Sequence, residues 1–129
     1  MKKYFLPLFT LVISFLQAQE NKIVPANKLS VLNSISKQEK DLIGISDKVW
    51  SYAEIAMKEY QSAKTLSDYA EQQGFKVTRN IADIPTAFIA EYGSGKPIIG
   101  ILGEFDALPG LSQKAIPYKK ALKIDAAGH

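Results

Sequence analysis

The residues best suited to chemistry are two carboxylates, Glu104 and Asp106, that follow an apolar run. This run, residues 98–102, has the length of a buried strand, and Pro97 and Pro109 lie on either side of it, as expected at strand ends. Side chains alternate along a strand, so a spacing of two puts both carboxylates on one face where the strand meets a loop. Close like charges need a metal, a proton or an arginine nearby. The pattern predicts a cation site or an acid/base pair, with a solvated strand end as the alternative.

Composition limits the class of protein. The chain has 129 residues, of which 47% are hydrophobic and 22% charged, as expected for one small globular domain. Its 16 basic and 13 acidic residues give a net charge of +3, but two of the basic residues are Lys2 and Lys3, in a segment assigned below to a signal peptide. The rest of the chain is therefore nearly neutral, and no nucleic-acid partner is expected. The sequence has no cysteine, which excludes disulfides and thiolate metal ligands from it.

The N-terminus has the pattern of a secretory signal. Met1-Lys2-Lys3 is a positive n-region, residues 4–16 form an apolar h-region, and Ala18 supplies a small residue for cleavage. The apolar stretch is shorter than the roughly 20 residues that span a bilayer. We therefore predict a signal peptide over residues 1–18 and an exported, periplasmic or secreted mature protein without a stable membrane anchor. The alternatives are a buried N-terminal helix and an uncleaved anchor.

Hydrophobic periodicity predicts two helices. Apolar residues recur every three or four positions over residues 32–56, which indicates a long amphipathic helix. The capping-box pattern from Ser36 to Glu39 favours a start at Ser36. A second apolar face covers residues 56–70, and Gly74 is well placed for a left-handed C-terminal cap.

Strand patterns follow the helices. Residues 75–79 and 86–92 alternate or are rich in β-formers, and the apolar run 98–102 is predicted as the central strand. Residues 111–126 then lose periodicity and predict a long loop, a type of segment that is commonly functional. The fold class is therefore α/β, with two helices followed by about three strands in an incomplete sheet.

Three motifs resemble the start of the M20 metallopeptidases, most closely the amidohydrolase branch that includes the aminobenzoyl-glutamate hydrolases. They are Gly-Glu-Phe-Asp-Ala-Leu-Pro-Gly-Leu-Ser-Gln over residues 103–113, Trp-Ser-Tyr-Ala-Glu over residues 50–54, and Tyr-Ala-Glu-Gln-Gln-Gly-Phe over residues 69–75. The resemblance covers residues 46–129 and implies a zinc-exopeptidase-like catalytic domain. Residues 19–129 would be the N-terminal part of that domain, truncated before its later ligands and its smaller dimerisation domain.

The resemblance also implies roles for three residues. Asp106 matches the aspartate beside the metal centre that orients a neighbouring ligand, a task that suits a carboxylate accepting an imidazole N–H. Glu104 occupies the place where peptidase members carry a metal-binding histidine and the amidohydrolase branch carries an acid. His129 matches the first histidine of the segment that carries the family's cysteine and histidine ligands and is not itself the matching ligand. A solvated histidine is expected there, with metal binding as the alternative.

The family function implied is hydrolysis of an amide between an acyl or aryl group and an amino acid. A divalent metal pair, zinc or manganese, activates the water in that family, and the substrate is a small-molecule amide of the aminobenzoyl-glutamate type. This chain, lacking most of the ligands, is not expected to bind metal tightly or to be active alone, and a homodimer is expected only with the missing domain. The alternatives are a secreted non-catalytic module or relic with the same scaffold, and an M20 dipeptidase or carboxypeptidase, against which Glu104 argues.

Export gives the first testable prediction. Expressed in a bacterium with its N-terminus intact, the protein should be recovered outside the cytoplasm with Gln19 as its first residue, because cleavage is expected after Ala18. N-terminal sequencing of the exported material checks this. Recovery of the chain only in the cytoplasm, still beginning with Met1, would contradict it.

Overall fold

The computed structural model describes residues 24–129 of the chain. The predicted signal peptide, residues 1–18, lies outside these described residues. Two helices, α1 (Ala26–Tyr52) and α2 (Tyr60–Gln72), precede two strands, β1 (Lys76–Arg79) and β2 (Phe88–Glu91). Over residues 24–129, neither helix is both long enough and apolar enough to cross a membrane.

Helix α1 begins ten residues before the predicted start. It starts at Ala26, directly after Pro25, whose carbonyl accepts the Leu29 N–H at 2.9 Å. The prediction of a start at Ser36 is therefore wrong. The residues ahead of Ser36 include good helix formers, and a proline at the entrance of a helix does not interrupt it. No residue of α1 is buried, so the apolar face that the periodicity predicted is largely in contact with solvent.

Helix α2 confirms the predicted cap. Gly74 has a φ of +88°, which a residue with a Cβ rarely adopts. The Gly74 N–H donates to Glu71 O at 2.9 Å and the Phe75 N–H donates to Ala70 O at 3.0 Å, the two bonds of a Schellman motif. The helix starts at Tyr60 rather than Ala56, because the chain between α1 and α2 turns sharply.

The two strands form an antiparallel hairpin that is tied to α2. Lys76 pairs with Glu91 and Arg79 with Phe88, and a short 3-10 turn over Ile81–Asp83 lies in the connection. The Arg79 guanidinium donates to Ser67 Oγ at 3.1 Å and to Glu71 Oε1 at 2.7 Å, and it also pairs with Asp68. The α/β class is thus confirmed, with two helices followed by a two-stranded open sheet.

The predicted central strand is absent among the described residues. Residues 98–102 have no regular secondary structure, and the Ile101 side chain is 95% exposed. A strand exists only when its backbone groups pair with a neighbour, and β1 and β2 pair with each other alone. The prediction of a third strand, and of Glu104 and Asp106 on one strand face, is therefore wrong for this structure. The run is apolar enough for a buried strand, but no strand lies beside it here.

This exposed run gives the second prediction. The 129-residue chain should bind the dye ANS and self-associate as concentration rises, because adjoining exposed apolar side chains promote association. Replacing Ile99 and Ile101 by lysine should reduce both effects. Ile124→Lys is a control at a single exposed isoleucine outside the run. Dye fluorescence and light scattering measure the two effects, and equal reductions by the control and the double variant would contradict the assignment to this run.

Candidate active-site loop

The segment that carries Asp106 is held by backbone hydrogen bonds on two sides. The Ala107 N–H donates to Glu54 O at 2.7 Å, and Ile55 and Ala107 form a parallel bridge. On the other side, the Leu108 N–H donates to Gly128 O at 2.8 Å, and the Gly128 N–H donates to Leu108 O at 3.1 Å. Ala107 is only 1% exposed. The loop after the apolar run is therefore held in place by backbone hydrogen bonds on both sides.

Glu54 connects this loop to the start of α2. Its carboxylate accepts the backbone N–H of Gln61 at 3.0 Å and of Ser62 at 2.8 Å, and the Ser62 hydroxyl at 2.9 Å. The first backbone N–H groups of a helix lack partners within the helix, so an anionic acceptor there is favourable. Partial burial raises the pKa of Glu54, but the hydrogen bonds from Ser62 and Gln61 outweigh it and leave the pKa below its ordinary value.

The connection between the helices is strained and internally bonded. Ala53 has a φ of 47° and Met57 a φ of 64°, values that cost free energy in residues with a Cβ. Glu59 is buried, with 8% of the residue exposed, and its Oε1 accepts the Met57 N–H at 3.0 Å. Such backbone persists only where the surrounding contacts hold it, and at Met57 the Glu59 carboxylate supplies one of those contacts.

The structure brings the three predicted site residues only partly together. Asp106 is half-buried directly beside Ala107, Glu104 is exposed, and His129 is exposed directly after Gly128 in the bridge to Leu108. Asp106 therefore adjoins the bridge between Ala107 and Ile55, and His129 adjoins the bridge between Gly128 and Leu108, whereas Glu104 adjoins neither. None of the three makes a hydrogen bond or ion pair to any other residue between 24 and 129. Their chemical roles stay predictions.

A metal does not fit the described residues by themselves. In the part of the chain that the structure describes, no group of three or more His, Cys, Asp or Glu side chains is arranged to hold a metal ion. Asp106 can accept an N–H from a ligand, but it has no set of ligands around it here. We therefore assign no metal ligand within residues 24–129.

The long loop after Gly110 is organised by two polar side chains. The Ser112 Oγ donates to Lys123 O at 2.7 Å and accepts the Lys123 N–H at 2.8 Å. The Gln113 side chain donates to Tyr118 O at 3.0 Å and accepts the Lys120 N–H at 3.0 Å. The prediction of a loop without helix or strand is confirmed. Several of its backbone groups nevertheless form hydrogen bonds with the side chains of Ser112 and Gln113. Hydrophobic periodicity does not predict such bonds.

Sequence reasoning missed Glu54 and Ser62. Glu54 ends one of the motifs that carried the resemblance, but Ser62, its donor, lies eight residues away across a strained turn. The two residues do not belong to one helix or strand, so the periodicity of the sequence does not predict their contact. The only available signal was the acidic end of the Trp-Ser-Tyr-Ala-Glu motif, residues 50–54, shortly before a predicted helix.

Comparison with known proteins identifies two relatives. The chain is 46% identical over 83 residues to a component of the p-aminobenzoyl-glutamate hydrolase of Escherichia coli, an alignment that covers 64% of this chain and 17% of the relative. It is 27% identical over 101 residues to the thermostable carboxypeptidase 1 of Saccharolobus solfataricus, covering 75% of this chain and 25% of the relative. The chain thus spans a quarter or less of the length of either protein. No protein-family model and no solved structure matches it.

The close backbone approach at Gly128 gives a prediction about stability. A Cβ on Gly128 would lie 2.5 Å from Ser112 Cα and 3.0 Å from Leu111 O, so Gly128→Ala must push two backbone segments apart. We expect a loss of about 1–3 kcal/mol, the range for overpacking. Urea unfolding of the 129-residue chain measures it. Gly103→Ala is the control because nothing lies within 4 Å of its added Cβ, and an equal loss in both variants would contradict the predicted clash.

Proposed function

We propose that this chain belongs to the M20-type peptidases and forms the N-terminal part of a metal-dependent amidohydrolase. The single observation that carries the proposal is the 46% identity over 83 residues to a component of a p-aminobenzoyl-glutamate hydrolase. The substrate class that follows is an amide between an aryl or acyl group and an amino acid such as glutamate. Because the chain spans 17% of that relative, the activity belongs to a longer polypeptide.

Asp106 is the residue of this chain that we place in the active site. Its loop is held at Ala107 and Leu108 by backbone hydrogen bonds, and its carboxylate has no hydrogen-bond partner within residues 24–129. A half-buried carboxylate in that position can accept an imidazole N–H from a histidine that binds the metal, which fixes the orientation of the ring and raises its basicity. Glu104 is exposed, and we place it at the edge of the proposed site, where it contributes a negative charge.

The metal itself would be held by other parts of the longer polypeptide. A pair of divalent ions, zinc or manganese, would polarise the carbonyl of the substrate and activate the attacking water in such an enzyme. We assign no residue between 24 and 129 to it. His129, exposed beside Gly128, matches only the first histidine of the segment that carries ligands further along the family sequence.

A carboxypeptidase is the second candidate function. It is supported by the 27% identity over 101 residues to a thermostable carboxypeptidase. Glu104, an acid where the peptidase branch carries a histidine, argues for the amidohydrolase. A secreted non-catalytic module with the same scaffold is the third candidate.

Location and partners complete the proposal. The enzyme is exported to the periplasm or beyond, it binds a small-molecule amide and no nucleic acid, and it forms a homodimer only through a domain outside this chain. The positive and apolar segments of residues 1–18 support export.

A substrate comparison tests the proposed function. The full-length polypeptide that carries this chain should hydrolyse p-aminobenzoyl-glutamate, and its activity should fall on chelation and return on addition of zinc or manganese. An N-blocked dipeptide is the competing substrate, and preference for it would favour the carboxypeptidase. Absence of metal-dependent cleavage of either amide would contradict both enzymes and leave the non-catalytic module. The 129-residue chain by itself should show neither turnover nor tight metal binding.

A substitution tests the role of Asp106. In the full-length polypeptide, Asp106→Asn keeps the size of the side chain but removes its charge, and it should lower metal affinity or activity by about 10–100-fold, the usual range for a residue that orients a metal ligand. Calorimetric metal titration and amide hydrolysis measure the two effects. Glu104→Gln should leave the rate nearly unchanged if Glu104 is only solvated, and should shift the pH profile if it lies in the site.

The matched control for Asp106→Asn is Asp83→Asn, at an exposed aspartate in the 3-10 turn. The control should retain full metal content and rate. If Asp106→Asn also retains both while the protein stays folded, the assignment of Asp106 to the site is wrong.

A further inference from the structure

Glu54 lies between the loop of Asp106 and helix α2, and it contacts both of them. We propose that Glu54 is a positioning residue, which holds Asp106 in its working place by fixing the adjoining peptide bond to the start of α2. The inference rests on the proposed function, because it concerns the efficiency of that same site. It is carried by contacts that are independent of any metal.

The Glu54 side chain is fixed by several donors at once. Its Oε2 accepts the Ser62 N–H and the Ser62 hydroxyl, and its Oε1 accepts the Gln61 N–H and, at 3.3 Å, the Gln61 side-chain amide. Ser62 is fully buried, with 0% of its surface exposed. A carboxylate with this many partners cannot rotate away without leaving buried donors unsatisfied. The position of Glu54 is therefore set by the first turn of α2.

The Glu54 backbone transmits that position to the loop. Its carbonyl accepts the Ala107 N–H at 2.7 Å, and the N–H of Ala107 shares a planar peptide unit with the carbonyl of Asp106. Holding this N–H therefore fixes the orientation of the Asp106 carbonyl and limits movement of its Cα. Ala107 is 1% exposed, so the contact is shielded from competing water.

Strain beside Glu54 agrees with a positioning role. Ala53, the preceding residue, has a φ of 47°, a conformation that a residue with a Cβ adopts at a cost in free energy. A helix cap alone does not need this conformation. Directly after this strained residue, Glu54 makes both contacts: its carbonyl accepts the Ala107 N–H, and its carboxylate accepts donors at the start of α2.

Two variants break the contact from opposite sides. Glu54→Gln replaces one acceptor oxygen with an amide that cannot accept, and Ser62→Ala removes only the hydroxyl donor. The control is Glu71→Gln, which changes a carboxylate within α2 that accepts from Arg79. In the full-length enzyme we expect Glu54→Gln to lower kcat by about 10–100-fold with KM nearly unchanged, because a small displacement of a catalytic constellation acts on the reacting geometry. Ser62→Ala should cause a smaller loss, and the double variant should lose less than the product of the two single losses.

Hydrogen exchange gives a second readout on the 129-residue chain. In Glu54→Gln the Ala107 amide should exchange faster, while the amides of β1 and β2 keep their rates. Unchanged Ala107 exchange, or equal acceleration at Ala107 and in the hairpin, would overturn the inference and leave Glu54 as a helix cap. A loss of kcat in Glu71→Gln as large as in Glu54→Gln would also overturn it. Failure of the unsubstituted enzyme to cleave an amide contradicts the proposed function instead, and Ala107 exchange still decides whether Glu54 holds the loop.

Discussion

The hydrogen bond from the Ala107 N–H to the Glu54 carbonyl joins two parts of the chain that are more than 50 residues apart in sequence. On one side lies the connection between α1 and α2, and on the other lies the loop that carries Asp106. Ala107 is one of only two buried hydrophobic residues among those described, the other being Ala63. With so little apolar burial, the directional hydrogen bonds around Glu54, Ser62 and Ala107 determine where the loop lies.

The local elements were predictable because their signals are local. Helix α2 has a clear 3.6-residue period and a glycine at its end, and the hairpin of β1 and β2 has alternating side chains with turn residues between them. The start of α1 was missed because the capping pattern at Ser36 is also compatible with a helix interior. The strand over residues 98–102 was predicted from hydrophobicity, which indicates a tendency to be buried. A strand also needs a neighbouring strand for its backbone hydrogen bonds, and hydrophobicity does not show whether one is present.

The arrangement around the candidate site could not be read from the sequence for a different reason. Glu54 contacts Ser62 across a strained turn, and Ser112 contacts Lys123 across a loop. Neither pair of residues lies on a common face of a helix or strand, so hydrophobic periodicity does not predict either contact. Asp106 was predicted from its motif and its role stays a prediction, and the structure adds that its loop is held on both sides by backbone hydrogen bonds. The exposed run at Ile101 and the sparse buried core together agree with a polypeptide whose relatives are four or more times as long as the matched segment.

The most direct test is a crystal structure of the full-length polypeptide with bound manganese, located by its anomalous scattering. The proposed function predicts that the Asp106 carboxylate accepts an N–H from an imidazole whose other nitrogen binds the metal, with the Ala107 N–H still on the Glu54 carbonyl. A metal site whose ligands and their hydrogen-bond partners all lie away from Asp106 would contradict it.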